Sequence, residues 1–122
     1  ILVVEDEPAV RQLTVAVLAD EGYTVLEAST PADAVRVAEE QARPIDLLLS
    51  DVVMPGGSAM TIVEALQPRF PQMRVMFMSG YPADEAVRRG VVTGTSEFLQ
   101  KPFTAAGLAQ RVREVLGDAG HA

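Results

Sequence analysis

IDLLLSDVVMP, residues 45 to 55, sets four apolar side chains, Ile45, Leu47, Leu48 and Leu49, ahead of a bare carboxylate, Asp51. Consecutive apolar positions in so short a run predict a strand buried on both faces rather than one alternating between core and water. Similar runs recur along the chain: ILVV (Ile1 to Val4), TVLEA (Thr24 to Ala28), RVMFMS (Arg74 to Ser79) and EFLQ (Glu97 to Gln100). Between them the apolar residues fall at helical spacing. One set is Val10, Leu13, Val17 and Leu18, and a second is Ala34, Val35 and Ala38. A third is Met60, Val63 and Leu66, and the last is Leu108, Val112, Val115 and Leu116. A weaker helical stretch runs from Ala83 to Val91.

The punctuation agrees with this alternation. Pro8 suits a first helical turn and Gly22 a helix exit. TPAD (Thr30 to Asp33) resembles a capping box with Asp in place of Glu, and Gly117 follows the last helix. Doubly buried strands joined by helices imply a five-stranded parallel sheet covered on both sides, a doubly wound α/β fold of the flavodoxin-like type. With 122 residues the chain fits one domain, 1–122, ending in a frayed tail at 118–122. Its first residue is Ile1 rather than Met, which suggests a segment of something longer.

Composition narrows the chemistry. Apolar residues make up 48% of the chain, and no tract is long enough to cross a bilayer, so a soluble, cytoplasmic domain without membrane contact is expected. There is no cysteine, and the single histidine is His121, within the last two residues; any metal must therefore be held by oxygen. A net charge of -7 argues against direct nucleic-acid binding.

In a doubly wound fold, ligands bind beyond the carboxyl ends of the strands. The residues leaving those ends are Glu5 and Asp6, then Asp51, then Ser79 and Gly80, then Lys101 and Pro102. Three carboxylates brought within a few ångströms repel by on the order of several kcal/mol per pair at an effective dielectric of about 20, and a divalent cation resolves the conflict. Hard oxygen ligands favour Mg²⁺ or Mn²⁺. Asp51 then serves as an ionised nucleophile, with Lys101 and Ser79 available to phosphoryl oxygens; the set suits formation of an aspartyl phosphate.

VVEDE, LLLSDVVMP, FMSGY and FLQKPF, in this order, resemble the receiver domain of two-component response regulators, and the likeness covers essentially the whole chain. The resemblance implies a phosphorylation-controlled switch that accepts a phosphoryl group from a histidine kinase or histidine phosphotransfer protein. By position, Asp51 would be the phosphoacceptor. Asp6, Asp51 and the Val53 carbonyl would ligate the metal, with Glu5 acting through water. Ser79 and Lys101 would bind the phosphoryl group, and Phe98 would be the switch aromatic. The Lys101-Pro102 bond matches one the family usually holds in cis. Glu5 stands where the family most often has Asp, and Ser79 where it more often has Thr. Val53 and Tyr81 occupy positions that tune attack of water on the phosphoryl group; neither carries a carboxylate or amide, so slow self-dephosphorylation is expected.

The output face would lie around the fourth helix (83–91), the fifth strand and the fifth helix, and the resemblance allows a phosphorylation-dependent dimer. The SGY and FLQKPFT wording looks most like receivers fused to hybrid sensor histidine kinases. The domain itself would assist its own phosphorylation without being a stand-alone enzyme.

Each residue also has a plainer reading. Asp51 alone could open a turn, Glu5 and Asp6 could favour a helix dipole, Lys101 could be a solvated lysine and Phe98 core packing. Their convergence on one sheet edge is what shifts the balance. A Mg²⁺-dependent aspartyl-phosphate phosphatase competes, but that class needs an acid where Val53 stands. A non-phosphorylated interaction module of the same fold lacks a reason to keep acids, hydroxyl and lysine together. A flavodoxin-like cofactor site would require a phosphate loop after the first strand, where EDEP stands instead.

Overall fold

Leu47–Asp51 forms the central strand, β3, of a five-stranded sheet in which every pairing is parallel. The computed structural model describes residues 1–41, 43–54, 57–79 and 97–117, with the backbone alone at 53–54. In chain order the elements are β1 (Leu2–Val4), α1 (Pro8–Asp20), β2 (Leu26–Ala28), α2 (Pro31–Glu39), β3, β4 (Val53–Met54), β5 (Gly57–Ser58), α3 (Ala59–Leu66), β6 (Arg74–Ser79), β7 (Glu97–Gln100) and α4 (Ala105–Leu116). The expected helix at 83–91, Gly80, Tyr81 and the tail at 118–122 lie outside the described residues.

The sheet order is β2-β1-β3-β6-β7. After β1 the chain moves to one side for β2 and then back to the other for β3, β6 and β7. The reversal therefore falls between β1 and β3, and the crevice at their carboxyl ends is where a doubly wound fold binds ligands.

Consecutive strand residues feed opposite layers. Leu2, Val4 and Leu48 pack with Ala34 and Ala38 of α2 and Ile62 and Leu66 of α3. Val3, Leu47, Leu49, Met76 and Met78 pack with Leu18 of α1 and Leu108, Val112 and Val115 of α4. Leu47, Leu48 and Leu49 are each fully buried, which is why that strand shows no polar alternation. Met73, Met76 and Met78 are all buried and fill the core.

Helix ends follow local chemistry. Pro8 opens α1, where its missing N-H costs no hydrogen bond, and Gly22 follows with φ 97°, a conformation few other residues adopt. Thr30 caps α2 by accepting from the Asp33 N-H at 3.1 Å, while the Asp33 carboxylate accepts from Arg36. Thr30→Ala is expected to lower stability by about 1 kcal/mol, read as a lower urea midpoint at unchanged slope.

One element was not foreseen. Residues after Asp51 form a small antiparallel pair, with Val53 opposite Ser58 and Met54 opposite Gly57. Gly57 sits at φ 149°, and a Cβ there would meet Pro31 and Thr61 at 3.4 Å.

Candidate functional site

The strand register brings the acids together. Val4 pairs with Ser50, so Glu5 and Asp6 leave β1 beside Asp51 at the end of β3. Carboxylate oxygens of Glu5, Asp6 and Asp51 lie within 4.8 Å of one another. Lys101 reaches the same point from the end of β7, after a backbone bond from its N-H to the Ser79 carbonyl at 2.7 Å. Its Nζ stands 2.7 Å from Glu5 Oε2 and 3.2 Å from Asp51 Oδ1. The Lys101-Pro102 peptide is cis.

The shortest of these contacts was not anticipated. Lys101 and Asp51 are partly exposed, whereas Glu5 is fully buried. Its extra methylene, relative to Asp, gives its carboxylate the reach to lie on the ammonium. The other oxygen, Oε1, accepts from the Glu7 N-H at 3.1 Å. Among the described residues no buried side-chain polar atom lacks a hydrogen-bond partner.

Charge crowding marks Asp51. Burial first, and then the neighbouring Glu5 charge, push its pKa up to about 6, with Lys101 opposing and Asp6 adding to the rise. Burial works against the Lys101 ammonium, but its hydrogen bond to Glu5 and the charge of Asp51 outweigh it and hold its pKa above the ordinary lysine value. A metal-free site thus carries more negative charge than one lysine offsets. All three carboxylates are hard oxygen donors, so the residues fit Mg²⁺ or Mn²⁺.

The remaining sequence-chosen residues fall around this cluster. Ser79 is buried at the end of β6 and pairs with Gln100. Phe98 is half-buried on β7 opposite Phe77, on the same sheet face as Ser79, and packs against the Val52, Ala59 and Phe77 cluster. Val53 follows Asp51 by two residues in β4. Tyr81 lies outside the described residues. Among those residues, no helix is long and apolar enough to cross a membrane.

Comparison with known proteins agrees with this arrangement. The chain matches the family model of the response regulator receiver domain over residues 1–113. It is 39% identical over 116 residues to the sensor kinase CckA of Brucella abortus (strain 2308), covering 95% of this chain but 12% of that protein. It is 31% identical over 118 residues to the phosphate regulon transcriptional regulatory protein PhoB of Klebsiella pneumoniae, covering 95% of this chain and 51% of that protein. The crystal structure of the receiver domain from the hybrid histidine kinase CckA superposes with a TM-score of 0.79 at 40% identity, covering 95% of this chain and 97% of that one. The chemotaxis response regulator CheY4 of Vibrio cholerae superposes with a TM-score of 0.81 at 26% identity, covering 93% and 95%. The chain therefore spans only a fraction of these two curated relatives.

Proposed function

The chain belongs to the response regulator receiver family, and from that premise we propose that it is a phosphorylation-controlled switch taking a phosphoryl group from a phosphohistidine onto Asp51. The observation that carries this reading is the cluster itself: three carboxylates within 4.8 Å of one another, one of them 3.2 Å from the Lys101 ammonium. Asp6, Asp51, the Val53 carbonyl and, through water, Glu5 would hold Mg²⁺ or Mn²⁺. When bound, the ion would supply positive charge that keeps Asp51 ionised and draws in phosphoryl oxygens.

The chain's own residues account for the rest. An Asp51 carboxylate oxygen attacks phosphorus, the P–N bond to the donor imidazole breaks, and the imidazole leaves as the neutral ring once it carries a proton. β3 fixes the nucleophile, because Leu47 to Leu49 are locked in the core behind it. Lys101 exchanges its carboxylate partners for the phosphoryl oxygens, and Ser79 donates to another of them. Movement of Ser79 toward the phosphoryl group, with Phe98 following, biases a second state of the face around β7 and α4, through which a partner or a second copy binds.

We propose a histidine kinase or phosphotransfer protein as the cytoplasmic donor. The likeness to the CckA receiver favours a hybrid-kinase setting. The test is phosphoryl uptake from acetyl phosphate, followed by intact mass: uptake with Mg²⁺ and none with EDTA is expected, and equal uptake in both would overturn the reading.

The lifetime of the phosphoryl group would follow from Val53 and Tyr81, neither of which carries a carboxylate or amide to orient water. Val53→Asn is expected to hasten loss of the aspartyl phosphate by roughly tenfold, less than a true general base delivers. An unchanged or slower decay than the parent would count against that role.

A further inference from the structure

Every polar group of Glu5 is engaged, and one of its partners belongs to no part of the site described above. The Glu5 N-H donates to the Ala28 carbonyl at 3.1 Å, and its carboxylate takes the Glu7 N-H and the Lys101 ammonium. Its carbonyl accepts from Arg11 Nη1, on the first turns of α1, at 2.9 Å. The same guanidinium donates through Nε to Glu27 Oε1 on β2 at 3.2 Å. Arg11 is 19% exposed and Glu27 53%, so the arginine is largely enclosed between helix and sheet edge while its counterion faces water.

That carbonyl belongs to the peptide plane between Glu5 and Asp6. Rotation of this plane would swing Asp6 relative to Asp51, and β1 ends at Val4, where the bond of the Glu5 N-H to the Ala28 carbonyl holds the preceding plane, between Val4 and Glu5. The guanidinium grips the Glu5–Asp6 plane itself, by its carbonyl. Its planar fork lets one donor hold the carbonyl while another is anchored on Glu27, which a single ammonium does less well.

We propose that Arg11 is a positioning residue for the acid turn, its guanidinium fixing the Glu5–Asp6 peptide plane so that both acids stay grouped with Asp51 for a divalent cation. The proposal rests on the cation reading given above. Groups that orient ligands without touching the ion commonly change affinity by 10–100-fold when removed, and a carbonyl clamp belongs at the lower end of that range.

The experiment measures Mn²⁺ affinity by the EPR signal of the free ion, alongside the thermal midpoint. Arg11→Met keeps the aliphatic stem and removes both donors. It is expected to fold and to bind Mn²⁺ roughly tenfold more weakly. Arg11→Lys, able to reach the carbonyl with one donor, is expected to recover part of that loss. Arg113→Ala removes another ion pair between α1 and α4, Arg113 to Glu21 at 2.8 Å, remote from the acids; it is expected to lower the thermal midpoint without changing Mn²⁺ affinity. Parent-like affinity in Arg11→Met, or equal weakening in Arg113→Ala, overturns the positioning role. Should Arg11→Met fail to fold, Arg11→Lys is expected to fold and to bind Mn²⁺ more weakly than the parent, and parent-like affinity in Arg11→Lys overturns the role. Absence of Mn²⁺ binding by the parent itself would instead remove the cation reading on which the role depends.

Discussion

Asp51→Asn is expected to take no label from acetyl phosphate at any Mg²⁺ concentration, and at pH 7.5 without metal to be more stable than the parent. The first result follows from the nucleophile: an amide cannot form the acyl phosphate. The second follows from electrostatics. Asp51 is crowded by burial and by the Glu5 charge, and its pKa in the folded chain is about 6 against 3.8 unfolded. Between these values the folded state binds more protons than the unfolded one, so parent stability falls as pH rises from about 4 to about 6 and stays low above that. The amide carries no charge and escapes this loss. For a partly exposed group, solvent screening leaves a difference on the order of 1 kcal/mol. Urea unfolding of both proteins at pH 4 and pH 7.5 checks the sign: the gap should open only at the higher pH. Added Mg²⁺ should then stabilise the parent more than the variant, which has lost a ligand.

Lys101→Met is expected to cost about 3 kcal/mol at neutral pH, because it leaves the fully buried Glu5 carboxylate without the ammonium 2.7 Å away. The methionine keeps most of the stem, so lost packing contributes little. A divalent ion stands in for the missing charge, and the thermal midpoint should rise more on adding Mg²⁺ in this variant than in the parent. On the proposed mechanism, phosphoryl uptake should nonetheless fall steeply, since the ammonium that would receive phosphoryl oxygens is gone. A variant as stable as the parent without metal would mean that Lys101 and Glu5 are not a coupled pair.

Much of this was legible in the chain. Runs such as Leu47 to Leu49 declared doubly buried strands, and reading the carboxyl ends of the strands singled out Asp6, Asp51, Ser79 and Lys101 as candidates, of which Asp6 and Asp51 share one cluster and Lys101 contacts Asp51. What periodicity cannot supply is reach. Lys101 and Glu5 are 96 positions apart, and their direct contact depends on one extra methylene and the local path of β1. Arg11 looked like an ordinary residue of an amphipathic helix, because helical spacing shows which face is apolar and not which backbone carbonyl a guanidinium finds. The β4–β5 pair was missed because two-residue strands have no pattern of their own.

On the proposed reading the acids at the ends of β1 and β3 share one divalent ion, and Asp51 alone receives the phosphoryl group. Peptide mapping of the parent chain after acetyl phosphate treatment, with borohydride reduction of the acyl phosphate to mark its position, tests this most directly. A single marked residue, Asp51, is expected, and no mark when EDTA replaces Mg²⁺. A mark on another residue, or one that forms equally without the ion, would contradict it.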